Sequence, residues 1–232
     1  MNENQMKEQE IVNQHQERER LLEAIRLGNR EDLEIFEKKL LEMVQQDKLQ
    51  IFKRIPDNKL RSYKNFLLSH NTLYSYSAEK GGLHPALSHY LSEKYAIMIE
   101  HTHQMDKLDE IHVAMIEQYG DLSLRYHKKT HPSLVNRIEE YIDIHFSEDS
   151  TIAGIAKKLH AHPSHLMRTF KKEKNMTISQ FRNERRLKEA KELIMHSHLT
   201  ITEIALMVGF SNVQYFTKLF KEKEGKTPKS FR

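Results

Sequence analysis

The feature that most constrains the fold of this chain is an internal repeat within its last hundred residues. Residues 170–177 read Phe-Lys-Lys-Glu-Lys-Asn-Met-Thr, and residues 220–227 read Phe-Lys-Glu-Lys-Glu-Gly-Lys-Thr, at an offset of 50. Upstream, the pair Ile-Ala at 155–156 is repeated at 204–205, at an offset of 49. A repeat with a nearly fixed period predicts two copies of one supersecondary unit.

The second copy indicates how each unit is built. Thr200 to Glu203 fits a capping box that opens a helix, and Gly209 supplies a turn. Ser211 to Gln214 fits another capping box, which predicts the start of a second helix. The copies end at Asn175 and Gly225, residue types that tolerate the left-handed conformation after a helix. The units are expected at about 151–175 and 200–225.

Each unit divides into apolar and polar positions, as an amphipathic pair of helices requires. The residues expected inside are Ile155, Ala156, Leu159, Leu166 and Phe170 in the first copy and Ala205, Phe216, Leu219 and Phe220 in the second. The residues expected outside are Ser164, Met167, Arg168 and Lys171, then Gln214, Thr217, Lys218 and Lys221. An ordinary helical hairpin with a solvated face has this pattern too. Two basic copies joined by one helix, residues 179–196, favour tandem helix-turn-helix units that bind DNA.

Composition agrees with a helical chain whose C-terminal half meets a polyanion. Residues 130–232 contain 18 Lys and Arg against 12 Asp and Glu, a net charge of +6. Residues 1–129 contain 19 against 21, a net charge of −2. Such asymmetry is typical of a protein in which one domain binds nucleic acid. The seven Gly and five Pro argue against a turn-rich β fold, and the lack of Cys excludes thiol chemistry from this chain.

The N-terminal half is expected to be helical as well, because its apolar residues recur at spacings of three and four. The helical stretches are expected at 5–50, with a break at Gly28-Asn29, and at 60–77, 89–99 and 111–119. The predicted fold class is therefore all-α. The predicted domains are a helical domain at 1–125 for dimerisation or signal input, a linker at 126–133 and a DNA-binding domain at 134–232.

Over roughly residues 133–232 the chain resembles the AraC/XylS family of bacterial transcription regulators. The residues that carry the resemblance are Ile204-Ala205, Gly209-Phe210, Tyr215-Phe216, Phe220-Lys221, Gly225, Thr227-Pro228 and Phe231-Arg232. The connecting helix fits at Arg186-Leu187, Ala190 and Leu193-Ile194. Residues 1–125 do not resemble the sugar-binding β-barrel of many members. The segment 60–85 is instead similar to a helical segment that precedes the DNA-binding domain in some larger ones.

The resemblance implies that two recognition helices enter successive major grooves on one side of the duplex. The implied DNA-binding residues are Ser164, Met167, Arg168 and Lys171 in the first unit, and Asn212, Val213, Gln214, Thr217, Lys218 and Lys221 in the second. Arg168 and Lys218 occupy matching positions; Arg suits guanine, and Gln suits adenine. Lys171 and Lys221 are expected at phosphates.

Two residues depart from the family pattern in the first unit. His162, directly before Pro163, stands where the family usually has a Ser as the helix cap, and imidazole is a poorer cap than a hydroxyl. Met167 carries no group that bonds to a base edge. The first unit is therefore expected to read sequence less sharply than the second.

The implied function is that of a cytoplasmic, sequence-specific regulator of transcription, and the family favours activators. The expected partners are double-stranded DNA and RNA polymerase. A homodimer through residues 1–125 and a small-molecule effector are left open, and no enzyme activity, cofactor or membrane partner is expected. Residues 1–10 are polar, which argues against a signal peptide, and no stretch is long enough to span a bilayer.

Two other functions fit the same sequence: a helical interaction module without DNA binding, and an architectural DNA-binding protein without regulatory input. The fifteen His also raise the question of a metal site. His101 and His103 are expected on different sides of a helix, and His160, His162 and His165 cluster at the first turn. Neither group has the spacing and acidic third ligand of a zinc site, so solvated or packed His is the favoured reading.

Overall fold

The computed structural model of the protein describes residues 3–47, 49–125 and 133–232. The chain divides into two compact units, residues 1–127 and 128–232. The linker expected at 126–133 lies, apart from Ser133, outside the described residues. Within the described ranges the only pairing of β type is an isolated antiparallel bridge between Leu83 and Arg125. The prediction of an all-α fold is confirmed.

The first unit is a helical bundle with α3 at its centre, packed against α1, α4 and α5. Its helices are α1 Glu3–Leu27, α2 Arg30–Gln45, a 3-10 helix Ile51–Arg54, α3 Lys59–Lys80, α4 Pro85–His101, α5 Met105–Gly120 and a 3-10 helix Leu122–Leu124. The break predicted at Gly28-Asn29 is present. Gly28 has φ +64°, and the Asn29 side chain accepts a hydrogen bond from the Asp32 amide at 3.4 Å, which caps α2.

A buried arginine, Arg125, connects three helices at one end of this bundle. The Arg125 guanidinium donates to the carbonyl oxygens of Ile25 (2.9 Å), Ala78 and Tyr119. These oxygens lie in the last turns of α1, α3 and α5, where carbonyls lack partners within their own helix and the helix dipole is negative. Burial lowers the pKa of Arg125, yet the three carbonyl oxygens replace its lost water.

The second unit consists of α6 Leu134–His145, α7 Ile152–Lys158, α8 Pro163–Lys174, α9 Ile178–His196, α10 Ile201–Met207, α11 Val213–Glu224 and α12 Pro228–Phe231. The long α9 packs against α6 and α8 and also against α10 and α12. A single apolar cluster holds the first half of this unit together. Its members are Val135, Ile138, Ile142, Ile155, Ala156, Leu159, Leu166, Phe170 and Ile178.

Candidate nucleic-acid interface

In the first helix-turn-helix, the turn contains a non-glycine residue with a left-handed backbone and a histidine that caps the second helix. His160 has φ +50°, and the following amide of Ala161 donates to the Ala156 carbonyl at 2.9 Å, which ends α7. His162 then caps α8 as predicted: its Nδ1 accepts a hydrogen bond from the Ser164 amide at 3.3 Å. Pro163 occupies the first position of α8, where a missing amide hydrogen costs nothing.

The second turn uses glycine where the first uses histidine. Gly209 has φ +95°, and a Cβ there would overlap the carbonyl oxygen of Ser147 and a guanidinium nitrogen of Arg186. The amide of Phe210 donates to the Ala205 carbonyl at 2.8 Å and ends α10. Both a left-handed backbone and a close approach therefore require glycine at this position.

The caps of the second unit are partly as predicted. The capping box of Thr200 and Glu203 is present, with both reciprocal hydrogen bonds. The capping box expected from Ser211 to Gln214 is wrong, because α11 begins one residue later. Asn212 is the cap, and its Oδ1 accepts from the Tyr215 amide at 2.8 Å. The turn before α11 is one residue longer than the turn before α8, which accounts for the offsets of 49 and 50.

Helices α8 and α11 are anchored by matching buried residues. Leu166 and Phe170 on α8, and Phe216 and Phe220 on α11, have no exposed surface. All the residues predicted to be inside are buried except Leu219, which is half-buried. This anchoring fixes which side of each helix faces solvent.

The ten predicted DNA-binding residues lie on the opposite sides of these helices. Eight are exposed: Ser164, Met167, Arg168, Lys171, Asn212, Gln214, Lys218 and Lys221. Val213 and Thr217 are half-buried. The six residues of the second unit line one open concave surface together with Thr202 and Ser211. Sequence reasoning did not select Thr202; its position in the first turn of α10 was the available signal.

The basic side chains on this face are only weakly engaged. The Arg168 Nε donates to the Ser164 carbonyl at 3.4 Å. Lys218 lies 3.9 Å from the Glu222 carboxylate, and both side chains are largely exposed. Exposed pairs of this kind contribute little to stability, so these side chains can exchange them for another partner at small cost.

The part of the chain that contains α8 and α11 matches a known family. A family of helix-turn-helix domains matches residues 155–232. The bifunctional transcriptional activator/DNA repair enzyme AdaA of Bacillus subtilis is 41% identical over 98 residues, which are 42% of this chain and 46% of that protein. The Msm operon regulatory protein of Streptococcus mutans is 31% identical over 126 residues, 54% of this chain and 45% of the relative.

Residues 155–232 form an AraC-type helix-turn-helix domain. Among solved structures, the C-terminal domain of AraT, a response regulator from Geobacillus stearothermophilus, is 32% identical with a TM-score of 0.42. That match covers 45% of this chain and 87% of the solved one. The chain spans about half the length of the curated relatives named above.

Within the AraC-type domain, Arg186 on α9 joins parts that are distant in sequence. Its Nε donates to the Phe146 carbonyl at 2.6 Å, its Nη2 donates to the Glu148 carbonyl at 2.9 Å, and its Cζ lies 5.4 Å from the centre of the Phe210 ring. Burial lowers the pKa of Arg186 to about 10, so it stays protonated at neutral pH. Arg186 therefore positions the second turn against the loop after α6.

Polar contacts also tie α11 to α9. The Asn183 side-chain amide donates to the Tyr215 hydroxyl at 3.2 Å, and Lys223 pairs with Glu184 at 2.8 Å. Lys191 pairs with Glu224 at 2.7 Å. Helix α9 is thus a rigid support for the second recognition face, which sequence periodicity alone did not reveal.

Among the described residues there is neither a cluster of metal ligands nor a helix that could cross a membrane. Across the described ranges, no three His, Asp or Glu side chains are grouped closely enough to hold a metal ion. His101 ends α4 and His103 follows in a loop, so the expectation that both lie on one helix is wrong. No helix among the described residues has the length and apolar character needed to cross a bilayer.

Proposed function

We propose that the chain is a sequence-specific, double-stranded DNA-binding transcription regulator that acts as an activator and inserts α8 and α11 into successive major grooves. The observation that supports this most is the pairing of two recognition helices in one domain. Each is anchored by two fully buried side chains and presents an exposed polar and basic face. An ordinary helical hairpin with a solvated face does not account for two such helices packed in one domain with α9.

The roles of individual residues follow from their chemistry. Arg168 is proposed to donate two hydrogen bonds to guanine, and Gln214 to pair with adenine. Asn212 uses its Oδ1 to cap α11, so only its amide nitrogen remains for DNA. Lys171 and Lys221 are proposed to neutralise phosphates, which fixes position without specifying sequence. Ser164, Met167, Val213, Thr217 and Lys218 complete the proposed contact surface.

Activation implies contact with RNA polymerase, and binding to chromosomal DNA places the protein in the cytoplasm. The name of the relative AdaA includes transcriptional activator, which supports activation here. Residues 1–125 are proposed as a separate dimerisation or signal-input domain, joined by a linker at 126–133 to the DNA-binding domain at 134–232. The proposed function involves no enzymatic step.

The test is selection from a random-sequence duplex pool, followed by sequencing of the bound fraction. The wild-type protein is compared with Arg168→Ala and Lys218→Ala, and with Lys188→Ala as a control. Lys188 is an exposed lysine on α9 that belongs to neither recognition helix. We expect a bipartite site with halves about one helical turn, roughly 34 Å, apart. Each recognition-helix variant should relax a different half, and the control should relax neither.

Other results would favour the alternatives. Binding without enrichment of any sequence would indicate an architectural protein, because phosphate contacts carry no sequence information. No binding at low salt would indicate an interaction module. Activation is tested separately, by transcription in vitro from a promoter that carries the selected site, with purified RNA polymerase. A decrease in transcript would identify a repressor.

A further inference from the structure

The first unit contains a partly open cavity lined by residues of α1, α2, the 3-10 helix Ile51–Arg54 and α3, with a volume of about 300 Å³. This volume is at the lower end of the range for small-molecule sites. Its walls are largely apolar, formed by Leu21, Phe36, Leu40, Met43, Phe66 and Leu73 among others. A compact apolar group fits such walls better than water does.

Basic side chains outnumber acidic ones around this cavity. Arg18, Lys39 and Arg54 line it, against the single carboxylate of Glu17. Glu17 is already engaged by Lys39 at 2.8 Å. The exposed Arg18 guanidinium lies 3.2 Å from the imidazole of His15 and makes no ion pair within the described part of the chain. Arg54 has no hydrogen-bond or ion-pair partner among the described residues. The lining therefore carries two exposed guanidinium groups that, among the residues the structure describes, are not engaged by a carboxylate.

A histidine, His70, also lines this cavity and packs against the ring of Phe66. The His70 Nδ1 lies 2.9 Å from the Phe66 carbonyl oxygen, and the His70 and Phe66 ring centres are 3.9 Å apart. Burial, with smaller contributions from Arg18 and Arg54, lowers the pKa of His70 to about 4. The ring is therefore neutral at pH 7. Its proton lies on Nδ1, which donates to the carbonyl, so Nε2 is an acceptor without a partner in the described part of the chain.

We infer that this cavity binds a small carboxylate with an apolar body, held by Arg18 and Arg54, whose hydroxyl or amine hydrogen is accepted by His70. The planar guanidinium group can donate two parallel hydrogen bonds to a carboxylate. A phosphate dianion is disfavoured, because it would lose more hydration free energy than a carboxylate on entering a cavity with apolar walls. The inference supplies a ligand class for the signal input proposed for residues 1–125, and it rests on that proposal for its role. Ligand binding itself is measured without DNA.

The experiment is titration calorimetry on the full chain at pH 7, with 4-hydroxyphenylacetate as the probe. We expect saturable binding of 4-hydroxyphenylacetate and much weaker binding of 4-hydroxyphenylacetamide and phenyl phosphate. Arg18→Gln and Arg54→Gln should each weaken binding at least about tenfold, the loss of one charge-assisted contact of about 1.4 kcal/mol. The matched controls are Arg20→Gln and Lys53→Gln, exposed neighbours that do not line the cavity.

Two further variants separate recognition from folding. His70→Phe keeps a ring of similar size, so it should weaken 4-hydroxyphenylacetate and leave phenylacetate unchanged. Leu40→Trp, at a half-buried position, should fill the cavity and abolish binding of both, with helical circular dichroism retained. Equal binding of acid and amide would overturn the inference. So would no binding at millimolar probe, or wild-type affinity in both arginine variants. Failure of the duplex selection leaves these results untouched, so the two proposals fail separately.

Discussion

The two helix-turn-helix units have the same helices but different ways of closing the turn. The first places His160 in the left-handed region and caps α8 with His162. The second places Gly209 there and caps α11 with Asn212, the better cap. Because the second turn is held against the Ser147 carbonyl and Arg186, its shape is fixed by contacts that the first turn does not share. The two copies therefore share the same helices, but the conformation of each turn depends on the residues that it contacts.

The largest expected effect is at the position where the turns differ most. Gly209→Ala should lower the free energy of unfolding by at least about 2 kcal/mol, since the new Cβ is strained and overlaps two neighbours. The matched change His160→Gly should stabilise the protein slightly, within about 1 kcal/mol, by relieving a left-handed non-glycine residue. Urea denaturation measures both. Similar losses in the two variants would show that the turns are equivalent after all.

The two helices proposed to read DNA, α8 and α11, also differ at one matching position. Thr217 and Met167 occupy matching positions, and only Thr217 carries a hydroxyl. Met167→Thr should sharpen selection in the first half of the bound site by about 1 kcal/mol, or fivefold. Thr217→Met should relax the second half by a similar amount. Sequencing after duplex selection measures each half. A change in the wrong half would contradict the assignment of helices to half-sites.

A smaller effect is expected at the caps. Asn212→Ala should cost about 1 kcal/mol, because the Tyr215 amide loses its acceptor. His162→Ala should cost less, about 0.5 kcal/mol, since the bond to the Ser164 amide is longer and imidazole is the poorer cap. Urea denaturation of both variants checks the order. The ranking fails if His162→Ala costs more than Asn212→Ala.

The smallest effect should come from improving the weaker cap. His162→Ser places a hydroxyl before Pro163 and should stabilise the domain by a few tenths of a kcal/mol, with the largest change in the amide exchange of the first turn of α8. Hydrogen exchange resolves the site. No change in protection at Ser164 and His165 would indicate that the cap of α8 is not limiting.

Local sequence rules predicted the features that depend on neighbouring residues. The break at Gly28, the capping box at Thr200 and the cap at His162 each involve residues within three positions, so the pattern and the contact coincide. The capping box at Ser211 was wrong because Ser211 and Asn212 are both favoured cap residues, and α11 begins after Asn212. Local patterns therefore identify caps but do not fix the length of the turn before them.

Features that depend on distant contacts were not predictable. Arg186 is one of the residues that carry the family resemblance. Its hydrogen-bond partners lie about forty residues away in the sequence, so the spacing of apolar residues does not predict them. The cavity beside His70 also has walls from separate helices, and its charges are spread over residues 17–54. Eight of the ten residues predicted to bind DNA are exposed, because amphipathic periodicity does determine which side of a helix is buried; that they bind DNA stays a prediction.

The junction at Arg125 also limits how the first unit can vary in length. One added residue rotates the end of a helix by about 100° and advances it by about 1.5 Å. A single insertion in α1, α3 or α5 would therefore turn one of the three acceptor carbonyls away from Arg125. The lengths of these three helices must change together, whereas the loop at 102–104 lies at the opposite end of α5 from Tyr119 and is free to grow. Relatives of this unit should differ in length there.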